Sequence, residues 1–290
     1  MKKKEVVKTE KKKGGKKKKS MLPIILLFMI GVSVMGYPFF ADFYNQAQYK
    51  KVNVEFDKGA KKLDKSEVDR RIKLAEYYND SMVRPNIKDP FVKKNHEKGI
   101  REYARMLQVK ETMGYVEIPK INQTLPIYPG TSDEVLEKGV GHMEFTSLPI
   151  GGKGTHCVLT AHSGIPTAKL FTDLDKMQKG DVFFIRNIKE VLAYKVDNIQ
   201  VITPTNFKPL RYFPGEDYCT LLTCTPYTIN THRLLVRGER TDYNEAMKKV
   251  KKKNIKLYII IAAIVLLLII LLMILRKRKK KKIKNKVNTQ

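Results

Sequence analysis

Two stretches without a single charge bound what this chain can fold into. Residues 22–40 read LPIILLFMIGVSVMGYPFF and residues 257–275 read LYIIIAAIVLLLIILLMIL, nineteen positions each. At a helical rise of ~1.5 Å per residue each spans roughly 28 Å, about the hydrocarbon thickness of a bilayer. Core helices of soluble domains rarely run so long without a polar position, so the second stretch is expected to be a transmembrane helix. The first, over residues 21–41, is expected to be either an uncleaved anchor or a cleaved secretory signal. A basic leader before an apolar run suits both, but the run is long for a signal and no clean small-x-small cleavage site precedes Asp42. Lys16 to Lys19 precede the first stretch and Arg276 to Lys282 follow the second. Basic flanks are retained on the inner side of a membrane, so residues 1–20 and 276–290 are expected to be cytoplasmic tails. The residues between the spans then lie on the extracellular face, with membrane lipids as partners. Lys248 to Lys253, within a basic linker expected over 243–256, sit on the outer flank of the second span. They are read either as contacts to anionic headgroups or wall polymer, or as a solvated linker.

Once located, the formal charge of +28 loses its first suggestion of a nucleic-acid binder. Residues 1–20 carry +9 and residues 248–290 carry +15, which leaves +4 for residues 42–247. A basic groove for nucleic acid is therefore not indicated. The middle is too apolar for intrinsic disorder, and three cysteines in 290 residues exclude a disulfide-stapled miniprotein. The odd count leaves at least one thiol without an intramolecular partner in an oxidising place, where it needs burial or a task.

Residues 42–110 are expected to form a helical region. Val68, Ile72, Ala75, Tyr78 and Met82 recur at three- and four-residue steps within 60–82, and Ile100, Tyr103 and Leu107 repeat the rhythm more weakly within 92–108. Between them Arg84 to Phe91 holds two prolines and reads as an irregular connector. From Met113 the texture changes to short β-type runs separated by turn signals: GYVEI, TLPIYPG, HCVLTA, DVFFIR, VLAYKV, YCTLLTC and HRLLVRG. With one short helix expected near Thr167–Lys176, residues 111–242 predict an antiparallel-rich barrel or sandwich of about eight strands. No phosphate-loop or dinucleotide glycine pattern, paired metal-ligand spacing or internal repeat is found, so no cofactor and no metal are expected.

Three residues could carry chemistry. Cys224 ends the run Tyr218 to Thr223, two residues before Pro226, which puts its thiol where a strand meets a loop. His162 ends the run His156 to Ala161 in the same way, before Ser163-Gly164. Each has a cysteine five residues upstream, Cys219 and Cys157, and the two-residue strand period turns that cysteine to the opposite face. If the two strands are neighbours, His162 and Cys224 meet at one sheet end, while Cys157 and Cys219 meet in the core as buried thiols. Arg233 opens the next run, nine residues after Cys224, where a hairpin would bring a fixed cation beside the thiol. Such a charge can steady a thiolate or the oxyanion formed when that thiolate attacks a carbonyl. Arg237 lies a strand period further along and reads as a surface charge.

The segments Leu159-Thr160-Ala161-His162-Ser163-Gly164 and Thr220-Leu221-Leu222-Thr223-Cys224-Thr225-Pro226-Tyr227, followed by Asn230 to Gly238, closely resemble the sortase transpeptidases. The signature T-L-x-T-C stands at 220–224, with the family arginine at 233 and its histidine at 162. Gly114 to Pro119, Gly141-His142 and Ser147-Leu148-Pro149 also resemble sortase core strands and turns. Asp89-Pro90-Phe91 matches the lid motif of the class C, pilus-assembling branch, which places a lid within 84–95, and the strong C-terminal span is typical of that branch too. Phe145 departs from the pattern, which has glycine there, and is expected to alter packing near 142–147; His142 is expected to be structural.

The resemblance implies a sortase-like eight-stranded β-barrel with N-terminal helices and a lid, flanked by two transmembrane helices. It implies that Cys224 cleaves an LPXTG-like sorting signal of a pilin between Thr and Gly, that His162 moves the protons and that Arg233 binds substrate or oxyanion. A Lys of another pilin subunit would resolve the acyl-enzyme. In the lid, Asp89 would pair with Arg233 and Phe91 would pack on the Cys224 sulfur. Two other readings are a housekeeping sortase that serves the cell-wall precursor and a membrane-tethered binding module in which Cys224 is merely structural.

Overall fold

The computed structural model describes residues 22–81, 105–165 and 167–251. The lid segment with Asp89, Pro90 and Phe91, most of the second helical rhythm, the C-terminal span and both tails lie outside the described residues. Helix α1 (Leu22–Ala60) runs without interruption from the apolar stretch into the domain. From Ile25 on it is long and apolar enough to cross a membrane, and its apolar window is wholly exposed. Its second half buries Tyr49, Asn53, Phe56 and Ala60, a four-three-four spacing that keeps one stripe on the barrel.

The expected helix over 60–82 begins later. Helix α1 ends at Ala60, and Asp64 starts α2 (Lys65–Ser81): its carboxylate accepts from the Glu67 amide at 2.7 Å and from the Ser66 hydroxyl at 2.7 Å. As the periodicity predicts, Ile72 and Ala75 are buried, and Val68 and Tyr78 pack beside them. Asn79 clamps α2 to the barrel by exchanging two hydrogen bonds with the backbone of Leu148.

Eight strands close a barrel: β1 (Gly114–Ile118), β2 (Gln123–Pro129), β3 (Val140–His142), β4 (Thr155–Thr160), β5 (Val182–Arg186), β6 (Val191–Ile202), β7 (Asp217–Thr225) and β8 (His232–Thr241). The order around it is β1-β2-β3-β4-β7-β8-β6-β5, with β2–β3 and β4–β7 parallel and the other pairs antiparallel. Seven strands match the β-type runs, although β6 continues six residues past Val196. Strand β3 was not among those runs and was foreshadowed only by the resemblance at Gly141-His142; three residues with a glycine at the centre carry too little period to register. The short helix α3 (Asp133–Lys138) was not expected. The helix expected near Thr167–Lys176 reduces to turns and a 3-10 turn at Leu174–Lys176. Residues 243–251, expected as part of a linker, are helical (α4), with Ala246 buried against Val182, Phe184 and Ala193.

Inward positions alternate as a two-residue period demands. Cys157 and Leu159 on β4, Cys219 and Leu221 on β7, and Leu234 and Val236 on β8 join the main core. The outward face of the same strands carries a second apolar cluster, Val158, Leu222, Leu235 and Ile202, covered by Leu210 and Phe207 of the β6–β7 connection. Arg237 is no loose surface charge. A bulge between Val196 and Asn198 presents Asp197, which accepts from the Arg237 guanidinium, and that guanidinium also lies 4.1 Å from the Tyr218 ring centroid.

Phe145 occupies a left-handed conformation, φ 63°, in the turn where Thr146 bonds back to the Met143 carbonyl. A side chain pays for that backbone and glycine does not, which explains why the resembling pattern has glycine there. Phe145→Gly is expected to be more stable than Phe145→Ala by about 1 kcal/mol in guanidinium unfolding, because the pair isolates the backbone cost from the lost ring.

Candidate functional site

The site begins with the pairing of β4 and β7. Their parallel register sets Cys157 opposite Cys219 and Thr160 opposite Leu222. Beyond the last strand residue the pairing continues, with the Ala161 amide donating to the Leu222 carbonyl at 3.2 Å and the Thr223 hydroxyl to the Ala161 carbonyl at 2.7 Å. The paired residues end at Thr160 and Leu222, and His162 and Cys224 each lie two residues beyond that last pair. On the other flank of β7, the antiparallel register sets Cys224 directly opposite Arg233. Such partners have Cα atoms about 4.5–5.5 Å apart and side chains on one face. Cys224 and Arg233 therefore share the outward face, and His162 follows β4 at the same pole, where β4 and β7 end. The second apolar cluster runs up to the thiol through Leu222 and Leu235.

Each residue is held by its surroundings. Cys224 is 8% exposed and Arg233 6%. The Arg233 Nη1 donates to the carbonyls of Asn230 and His232, both at 3.0 Å, which fixes the guanidinium against its own loop. The loop after His162 is pinned twice: Phe171 donates its amide to the His162 carbonyl at 3.1 Å, and Gly164 donates its amide to the Thr172 hydroxyl at 3.0 Å. Gly164 has φ +80° and the Tyr227 ring lies 3.1 Å from where a Cβ would stand, so a side chain there would push the two site loops apart.

Burial holds the His162 imidazole below its usual range, and the charges of Asp133 and Glu137 oppose that shift in part. Both carboxylates come from α3, which sequence reasoning missed. Its signals were present: Ser132 before two acids at the start, and Lys138-Gly139 at the end. The Glu144 carboxylate anchors this helix start by accepting from the Thr131 amide and hydroxyl.

The histidines and thiols enclosed by the barrel, His142, His156, Cys157 and Cys219, are structural. His142 is fully buried, with Nε2 2.9 Å from the Ser147 carbonyl. His156 sits between the Arg211 carbonyl and the Thr220 hydroxyl, and burial pushes its imidazole down to about 4. Cys157 and Cys219 are free, buried thiols in the core, as their parity predicts, and burial pushes Cys219 well up. Among the described residues no cluster of His, Cys, Asp or Glu could hold a metal ion.

A family profile described as Sortase domain matches residues 116–241. The pilus-related sortase C of Group B Streptococcus is similar at 57% identity over 66% of this chain and 97% of its own, with a TM-score of 0.63. Sortase C-1 from Streptococcus pneumoniae is similar at 56% identity over 67% of this chain and 99% of its own, with a TM-score of 0.64. Sortase A of Bacillus anthracis is 24% identical over 216 residues, 74% of this chain and 91% of that protein.

In a pH titration followed by NMR, His162 is expected to change charge below the ordinary imidazole value of about 6.5. Replacing Asp133 by Asn and Glu137 by Gln removes charges that favour imidazolium, so the midpoint should fall further; a rise would contradict this account of its surroundings.

Proposed function

This chain belongs to the sortase family, in its class C branch, and from that premise we propose that it polymerises pilins through an acyl-enzyme on Cys224. The observation that supports this assignment of roles is the strand register: Cys224 lies opposite Arg233, and the parallel pairing of β4 with β7 ends two residues before His162 and Cys224.

The substrate is an LPXTG-like sorting signal near a pilin C-terminus. With ordinary pKa values of about 8.5 for thiol and 6.5 for imidazole, roughly one resting pair in a hundred is thiolate and imidazolium before their mutual attraction. Burial of His162 lowers that fraction further. The fixed charge of Arg233 acts in the opposite sense, because it favours a thiolate on the neighbouring strand. The thiolate attacks the Thr carbonyl, and Arg233 donates to the oxyanion that forms. Collapse breaks the Thr–Gly bond, and the leaving glycine amine takes the proton from the His162 imidazolium. What remains is a thioester on Cys224 and a neutral imidazole. His162 then accepts a proton from the amine of a Lys on a second pilin as it attacks. The isopeptide bond forms, the C–S bond breaks, and thiolate and imidazolium are restored. Transfer in place of hydrolysis needs an acyl site with restricted access to water.

The apolar half of α1 supports a place in the cell membrane, with the N-terminus cytoplasmic, the barrel on the extracellular face, and the 257–275 stretch returning the chain to the cytoplasm. The lid role of Asp89-Pro90-Phe91 rests on the sequence resemblance. Such a latch would consist of one ion pair, to a largely buried Arg233, and one aromatic contact, both of which substrate has to displace.

Incubating the wild type with an LPXTG peptide is expected to give a thioester adduct by mass spectrometry, and with a candidate pilin a ladder of polymers. Cys224→Ala should give neither, and Arg233→Ala should lose about 10²–10³ in kcat/KM, the usual cost of an oxyanion donor. An undiminished rate in Cys224→Ala would overturn the proposal. Separately, Asp89→Ala and Phe91→Ala are expected to speed thiol labelling of Cys224; unchanged rates in both would count against a lid.

A further inference from the structure

The direction of each strand tells which pole of the barrel faces the lipid. Strand β2 is parallel to β3, β3 is antiparallel to β4, and β4 is parallel to β7. The start of β2 therefore lies at the same pole as the ends of β4 and β7, where His162 and Cys224 sit. The start of β1 and the end of β5 lie at the other pole, since β1 is antiparallel to β2 and β5 to β1.

Helix α1 crosses between these poles in a definite sense. Its first contacts after the apolar stretch are all at the catalytic pole. Asp42 accepts from the Lys169 amide at 3.3 Å, Asn45 donates to the Thr167 carbonyl at 2.7 Å, and Gln46 donates to Gln123, the first residue of β2, at 2.6 Å. Thr167 and Lys169 belong to the loop that follows His162. Its last contacts are at the opposite pole, where Phe56 packs edge-on to Tyr115 and Asp57 pairs with Arg186 at the end of β5. At the carboxyl side β8 ends at that far pole, and α4 folds back over β5 with Tyr243 against Phe184 and Ala246 against Val182, the first residue of β5.

The helix leaves its apolar stretch and meets the catalytic loop within a few residues, so no spacer lifts the site away from a membrane. The surface there is chemically suited to an interface. Tyr37, Phe40, Phe43 and Tyr44 are exposed on α1, and Tyr227 and Ile229, 59% and 66% exposed, crown the β7–β8 loop beside Cys224. Aromatic rings favour the boundary between headgroups and chains. Exposed rings on a membrane span, with apolar residues crowning a loop at the same pole, have the bilayer surface as their partner.

We infer that the catalytic pole is the membrane-facing pole: α1 and the β7–β8 loop seat it on the lipid interface, so that Cys224 takes peptides presented at the bilayer surface. This rests on reading α1 as a membrane span.

The test uses the full chain in nanodiscs of anionic and zwitterionic phospholipid, in a Cys224→Ala background where the remaining native thiols are buried. Single cysteines introduced by Ile229→Cys, by Lys189→Cys at the far pole and by Met35→Cys within α1 carry a fluorophore, and nitroxide lipids quench it. Quenching at 229 several-fold stronger than at 189, with strong quenching at 35, is the expected result. Strong quenching at 35 with 229 no stronger than 189 would overturn the orientation while leaving the span intact. Absence of quenching at 35 would overturn the span and the inference with it. In the otherwise native enzyme, Ile229→Asp should lower turnover of a lipid-tethered sorting peptide several-fold and spare a soluble one. Equal effects on both peptides would also contradict the inference.

Discussion

The alignment of β4 beside β7 is the constraint on which the site depends. Both strands end at the same pole, and their register is fixed from inside by apolar side chains. A slip of one residue in either strand would turn its core pair, Cys157 and Leu159 or Cys219 and Leu221, outward and bring His156, Val158 and Thr160 or Tyr218, Thr220 and Leu222 inward. The interior therefore enforces what the exterior uses. With that register set, β4 and β7 deliver His162 and Cys224 to the same pole, and the hairpin to β8 adds Arg233 across from the thiol.

Around that pairing the protein keeps two kinds of polar group apart. His142, His156, Cys157 and Cys219 are enclosed and fully engaged with the barrel. At the pole the Arg233 guanidinium is held by bonds to the backbone carbonyls of Asn230 and His232. The imidazole of His162 lies between opposing influences, burial against two nearby carboxylates. That balance leaves a base that is neutral at physiological pH and still able to carry a proton for one step of a cycle.

Much of this was legible in the sequence. Parity alone separated Cys157 and Cys219 from Cys224, because a strand's two faces alternate strictly. Seven of the eight strands carried enough apolar and β-branched residues, bounded by turn signals, to be seen. What escaped detection was short or set by tertiary contacts. The three residues of β3 have no period. The six-residue α3 is held by Glu144 and its own end signals more than by an apolar stripe. The start of α2 is capped by one carboxylate, Asp64, and the fate of Arg237 depends on a bulge that presents Asp197. The extension of α1 to Ala60 was hidden by a buried stripe that includes Asn53, a residue that dilutes the apolar signal.

The most direct measurement is a crystal structure of the enzyme trapped with a sorting-signal peptide that carries an electrophilic carbonyl analogue in place of the scissile bond. The account predicts a covalent bond to the Cys224 sulfur and the former carbonyl oxygen within about 3 Å of the Arg233 guanidinium. It also predicts the His162 ring within one hydrogen bond of the leaving-group side. An adduct on another residue, or an oxygen turned away from Arg233 with His162 out of reach, would contradict it.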